Sequence, residues 1–176
     1  MTRATLSQAE LRPARSSDVK AVRAVLTAAA NDLTARFGEG HWSGVSSVEA
    51  LRKYLDEGAL YVVEAEARML GTLRLSERKI GFYHNDWFAD PSAAAGYLLD
   101  MAIDPAHQRR GIGQQAMRLA EELARARGLA AIRLDAYGGP AGAGRFYEKC
   151  GFRQVHAGEF KGVALEYFEK LIERCG

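Results

Sequence analysis

Between Tyr97 and Ala136 the chain reads as a buried strand, a break at Asp104-Pro105, a loop of Gln108, Arg109, Arg110, Gly111, Ile112 and Gly113, then a helix and a second strand. Proline donates no main-chain hydrogen bond and pushes the residue before it out of helical geometry, so the first strand must stop at Ile103. Ile112, Ala116, Leu119, Ala120, Leu123 and Ala124 mark one apolar stripe of a helix over Gly111 to Arg127, and Gly128 closes it. Ala130 to Ala136 is the returning strand. Such a unit rejoins its sheet as a parallel, right-handed crossover, which commits the chain to an α/β architecture.

The flanking sequence adds antiparallel pieces. A short strand around Leu11 to Ala14 carries Pro13, suited to an edge. Ser16, Ser17 and Asp18 offer an N-cap to a helix whose apolar positions Val19, Val22, Val25, Leu26, Ala29, Ala30 and Leu33 recur at threes and fours, fading near Phe37. After the glycine-rich loop Gly38 to Gly44, Ser46 and Glu49 form a capping box for a second helix ending at Gly58. Leu60 to Glu66 and Met69 to Ser76 read as a hairpin turning at Ala67 and Arg68. Glu77 to Gly96 shows no period and is either functional or an extended hairpin. Gly138 to Gly144 bends into a short helix with Phe146 and Tyr147, followed by strands at Phe152 to Val155 and Val163 to Phe168.

A chain of 176 residues suits one domain, 1–176, with the first ten residues as a flexible leader. At this length folding hides roughly 70% of the unfolded surface, so a core needs neither disulfides nor a structural metal. With 48% hydrophobic and 26% charged residues the chain is of globular type. The net charge of +2 argues against a broad nucleic-acid-binding surface. No apolar run approaches the roughly 18 residues of a membrane span, and Cys150 and Cys175 lack ligand spacing, so a cytoplasmic protein with free thiols and no metal is expected.

The loop before the long helix carries the functional signal. A helix N-terminus presents unpaired N–H groups with partial positive charge, and glycine allows torsions and approaches that a side chain would block. Gln108 to Gly113 is therefore suited to a diphosphate cradle, with Arg109 and Arg110 adding charge; a glycine-rich loop that merely starts a helix is the alternative. The same letters satisfy another pattern: Gly111, Gly113 and Ala116 spell G-x-G-x-x-A, and Asp135 stands near the place of a ribose-binding acid. A dinucleotide-binding oxidoreductase is thus one alternative, although Asp104 to Arg110 separate strand from glycine where that fold allows almost nothing.

Gln108 to Gly113 also matches Q/R-x-x-G-x-G/A, and downstream stand Arg145, Phe146, Tyr147, Glu148, Lys149, Cys150, Gly151 and Phe152. In these two segments, in their order and separation, the chain resembles the GNAT acetyltransferases, most closely over Tyr97 to Val155. Ala143 matches as well, while Pro140 stands where the family often has asparagine. The resemblance implies a GNAT-like mixed, mostly antiparallel central sheet flanked by helices, with the parallel unit binding the cofactor. It implies acetyl-CoA as donor and a primary amine of a small molecule or peptide as acceptor, with direct attack on the thioester.

On that resemblance the N–H groups of Arg109 to Gln114 hold the pyrophosphate, and Met101, Ala102 and Ile103 pair with the pantetheine arm like an added strand. Tyr147 matches the family's tyrosine acid, which serves the departing thiolate, and an aromatic packing role is its alternative. An alkyl amine with pKa near 10.4 must lose a proton before attack. Asp100, beside Met101, is the best-placed carboxylate, with Glu64, Asp86 and His84 behind it; a hydrogen-bonded strand-end carboxylate explains Asp100 equally well. Cys150 lacks a base nearby in sequence and reads as a small buried hydrophobe. Trp42, Tyr83 and Trp87, with His41, Phe82 and Phe88, are the candidates for an aromatic acceptor wall. A non-catalytic acyl-CoA sensor would keep the cradle without turnover. A homodimer is allowed for, with Val163 to Phe168 as its edge.

Overall fold

The computed structural model describes residues 8–173. Seven strands, β1 (Glu10–Pro13), β2 (Leu60–Ala65), β3 (Arg68–Ser76), β4 (Ala95–Ile103), β5 (Ala131–Tyr137), β6 (Arg153–Phe160) and β7 (Val163–Leu171), form one sheet in the order β1-β2-β3-β4-β5-β7-β6. All neighbouring pairs are antiparallel except β4 with β5, which run parallel. The helices are α1 (Val19–Phe37), α2 (Val48–Asp56), α3 (Ile112–Ala126) and α4 (Gly144–Lys149). This is the mixed, mostly antiparallel sheet with a parallel β-α-β unit expected from the sequence. A dinucleotide-binding domain needs a run of parallel strands, and the single parallel pair among the described residues removes that alternative.

Alternation along β5 sorts its side chains between two layers. Ile132, Leu134 and Ala136 join Ala116, Met117, Ala120 and Ala124 of α3 in one core. On the other face, α1 and α2 cover β2 with Val22, Leu26 and Leu51 against Leu60 and Val62. Farther along that face, Tyr83 and Phe88 of the segment between β3 and β4 pack on Tyr97, Leu165 and Tyr167.

Several expectations shift. Ser47, not Ser46, caps α2, its Oγ accepting from the Ala50 N–H at 3.2 Å. Extended torsions at Ser47 bring its hydroxyl to the third residue on, so the box with Glu49 does not form. The hairpin turns at Glu66 and Ala67, both in left-handed torsions, one residue before the expected pair. The segment before β4 is neither hairpin nor strand: a 3-10 turn at Asn85–Trp87 lies within irregular chain, and β4 begins at Ala95. β7 pairs on both sides, with β5 and β6, so it offers no edge for a dimer; the outer strands of the sheet are β1 and β6. The expected leader lies largely outside the described residues, as does Cys175.

Two irregularities shape the middle of the sheet. Opposite Thr72 to Arg74 of β3, β4 advances from Ala102 to Leu99, one residue more, and Asp100 takes up the excess at φ 47°. β4 and β5 pair only from Ala95 to Tyr97 against Ala131 to Arg133. Beyond that point the two strands part, and the stretch of β4 from Leu98 to Ile103 has an edge that β5 does not fill.

Candidate active site

The loop leaving β4 is braced from inside. Asp104 Oδ1 accepts from Ala106 N at 2.9 Å, and Gln108 Nε2 donates to the Ile103 carbonyl at 2.9 Å, tying the loop back to the strand end. Arg109 and Gly111 then adopt positive φ, 59° and 81°. For Arg109 that conformation costs energy which the surrounding turn must offset. From Arg109 through Gln114 no main-chain N–H donates to any described residue, whereas Gln115 N already bonds to Gly111 O at 3.0 Å. A run of free donors at the start of a fifteen-residue helix concentrates partial positive charge there. Gly113 serves closeness: a Cβ there would sit 3.2 Å from the Phe146 ring, so glycine lets α3 and α4 pack together.

A cavity of about 660 Å³ opens where β4 and β5 part. Of the residues singled out from the sequence, Met101, Ala102, Ile103, Gln108, Arg109, Gly111, Gly113, Gln114, Ala143 and Tyr147 line it. Arg110 is exposed and Ile112 is buried in the α3 core, and neither lines the cavity. One wall escaped the sequence reading: Ala29, Asp32, Leu33, Arg36 and Phe37 bring the C-terminal half of α1 across the opening. Its only trace in sequence is an apolar stripe that continues beyond what α2 needs. Arg36 is paired with Asp32 at 3.1 Å within the lining, and Arg109 and Lys149 leave it a net positive charge.

Tyr147 is buried among Phe146, Phe152 and Phe168 and still reaches the cavity. Burial, reinforced by the negative charge of Asp135, keeps its phenol protonated far above the ordinary tyrosine range. Its hydroxyl takes no hydrogen bond from a described residue and is not among the fully enclosed orphan atoms, so it stays open to the cavity. Asp100 sits on the bulge, its Oδ2 held by Arg74 Nε at 2.8 Å, and Arg74 in turn lies over the Tyr54 ring at 3.9 Å. Among the other carboxylates considered, Glu64 is paired with Arg12 at 2.8 Å on the far strands.

None of Trp42, Tyr83 and Trp87 lines the cavity. Trp42 meets Tyr137 edge-on at 5.6 Å, Trp87 stacks on His156 at 4.0 Å, and Tyr83 is buried with its hydroxyl donating to Asp135. These rings occupy the α1-side face of the sheet, across the strand opening from α4. Asp135, considered from the sequence only as a ribose-binding acid, belongs to that face. Burial raises the Cys150 thiol above the usual range, so it is held as the thiol.

A family model for the acetyltransferase (GNAT) family matches residues 27–152. The chain belongs to the GNAT family. The solved structure of a GNAT-family acetyltransferase from Listeria monocytogenes superimposes with a TM-score of 0.74 at 21% identity, covering 97% of this chain and 98% of that one. N-acetylglutamate synthase from Neisseria gonorrhoeae, solved with coenzyme A and N-acetyl-glutamate, gives a TM-score of 0.68 at 17% identity over 94% of this chain and 35% of that one. At such identities the likeness shows the fold. Mycothiol acetyltransferase from Beutenbergia cavernae is 36% identical over 69 residues, which is 39% of this chain but 23% of that protein. Among the described residues of this GNAT protein, no helix is long and apolar enough to cross a membrane.

Proposed function

We propose that the chain acts as a single N-acetyltransferase domain, moving an acetyl group from acetyl-CoA to a primary amine of a small molecule or peptide by direct attack. The observation that carries this reading is the unbroken run of free N–H groups from Arg109 through Gln114 beside the unfilled edge of β4. The first suits a diphosphate and the second an extended amide-bearing arm, and both open on one cavity. A β4 amide near Met101 supplies a donor for the oxygen of the thioester under attack. Tyr147, protonated throughout the neutral range, supplies a proton to the departing thiolate. Cys150, held as the thiol and placed outside the cavity lining, supports direct transfer over an acyl-enzyme route.

Thermal unfolding with separate additions of acetyl-CoA, CoA and NAD tests this. A ligand at about 100 times its Kd stabilises the native state by about 2.7 kcal/mol. Acetyl-CoA and CoA are expected to raise Tm and NAD is not; stabilisation by NAD alone would refute the donor assignment. A screen of amines for released CoA then separates enzyme from sensor.

A further inference from the structure

We infer that Asp135 takes the proton from the incoming amine, with Tyr83 as its positioning residue, on the α1-side face of the sheet where β4 and β5 part. The inference rests on the amine-transfer reading above and adds a group that the sequence did not nominate for this role. Asp135 lies two residues beyond Arg133, the last residue of β5 to pair with β4, so it stands where the strands have just separated. Its neighbours in sequence, Leu134 and Ala136, point into the α3 core, which sends the Asp135 side chain to the other face. There Oδ1 accepts from the Tyr83 hydroxyl, and Tyr83 is held edge-on by Tyr97 at 5.7 Å and Tyr167 at 5.3 Å. Oδ2 takes no hydrogen bond from a described residue, and the sole fully enclosed orphan side-chain atom among those residues is Nδ1 of His107. One oxygen of Asp135 is therefore anchored while the other is unbonded and not fully enclosed.

The surroundings suit a cationic amine. Asp100 adds a second carboxylate from β4, and Tyr137 with Trp42 supplies aromatic rings nearby. Asp100 is the poorer proton acceptor because Arg74 already engages it. Tyr83 from the irregular segment bonds to Asp135, and the titratable groups near enough to feel its charge are Tyr167 from β7, Tyr137 on its own strand, Asp100 from β4 and Tyr147 from α4. Burial raises the Asp135 carboxyl above the ordinary range, the Tyr83 hydrogen bond pulls it back, and the Asp100 charge raises it again.

One ammonium proton moves to Asp135, the freed amine nitrogen bonds to the thioester carbonyl carbon, and the C–S bond breaks. Tyr147 protonates the thiolate and regains the proton that the new amide nitrogen sheds. Asp135 releases its proton to water.

Wild type, Asp135→Asn, Asp135→Glu, Tyr83→Phe and Asp100→Asn are assayed for CoA release from acetyl-CoA with a panel of primary alkylamines and short peptides. Activity requires ionised Asp135, so wild-type kcat/KM should fall on acidification through an inflection above the ordinary aspartate value near 3.9. Asp135→Asn should lose about 100-fold in kcat at unchanged KM for acetyl-CoA, and Asp135→Glu should recover part of it. Tyr83→Phe should move the inflection to higher pH, since the hydrogen bond that favours the carboxylate is gone. Carboxyl-carbon NMR of Asp135 gives a readout without any acceptor. Titration above the ordinary value supports the inference, and titration at or below it overturns it. So does an acid limb that persists in Asp135→Asn and vanishes in Asp100→Asn. Acetyl-CoA raising Tm in both wild type and Asp135→Asn while kcat is equal in the two would sink Asp135 alone, whereas no stabilisation of either would sink the transfer reading with it.

Discussion

Arg133→Ala should lower the free energy of unfolding by about 3–5 kcal/mol, the usual cost of leaving one member of a buried ion pair alone. Arg133 and Glu169 have side chains only 2% and 3% exposed, with Nε and Oε1 3.1 Å apart. The guanidinium also donates to the Asp90 carbonyl at 2.7 Å and lies 4.1 Å over the Phe88 ring, while Glu169 Oε2 accepts from Ala89 N at 2.9 Å. The pair thus fastens the irregular segment between β3 and β4 to β5 and β7. Removing Arg133 strands a carboxylate and frees the segment that carries Tyr83. Denaturant midpoints at constant m-value would read the loss. Arg133→Met combined with Glu169→Leu should recover much of it, because the pair's own desolvation cost disappears. A single variant within 1 kcal/mol of wild type would show that the pair does not hold the segment.

Tyr147→Phe should leave folding and acetyl-CoA affinity intact and reduce kcat by about 100-fold. The ring keeps its contacts with Phe146, Phe152 and Phe168, so the substitution removes a hydroxyl that makes no hydrogen bond to a described residue. On the proposed mechanism, what is lost is a proton source that burial keeps loaded at neutral pH. The loss should be smaller with acyl donors whose thiol leaving group has a lower pKa, since such a group departs without help. Steady-state kinetics with two thioester donors would check this. Equal rates for wild type and variant with both donors would remove Tyr147 from the chemistry and restore the packing role considered for it.

How far the sequence could be read follows the range of the interactions involved. The unit from β4 through α3 to β5 rests on local signals: a proline stop, a glycine start, a helical stripe and a closing glycine. It was legible, and so were the lining residues that it contributes. The segment before β4 was not, because its order comes from Arg133, Asp135 and Glu169, all distant in the chain. Strand order is equally nonlocal, and an apolar β7 reads alike whether it is an edge or lies between β5 and β6. The α1 wall of the cavity and the placement of Asp135 depend on where β4 and β5 part, which no periodicity in either strand announces.

Amide-resolved NMR during titration with acetyl-CoA reads out whether the main-chain donors ahead of α3 hold the cofactor. The largest 15N–1H shifts should fall on Arg109 through Gln114, together with Met101 to Ile103, and saturate as one site. Saturable binding that leaves those amides unmoved would contradict it.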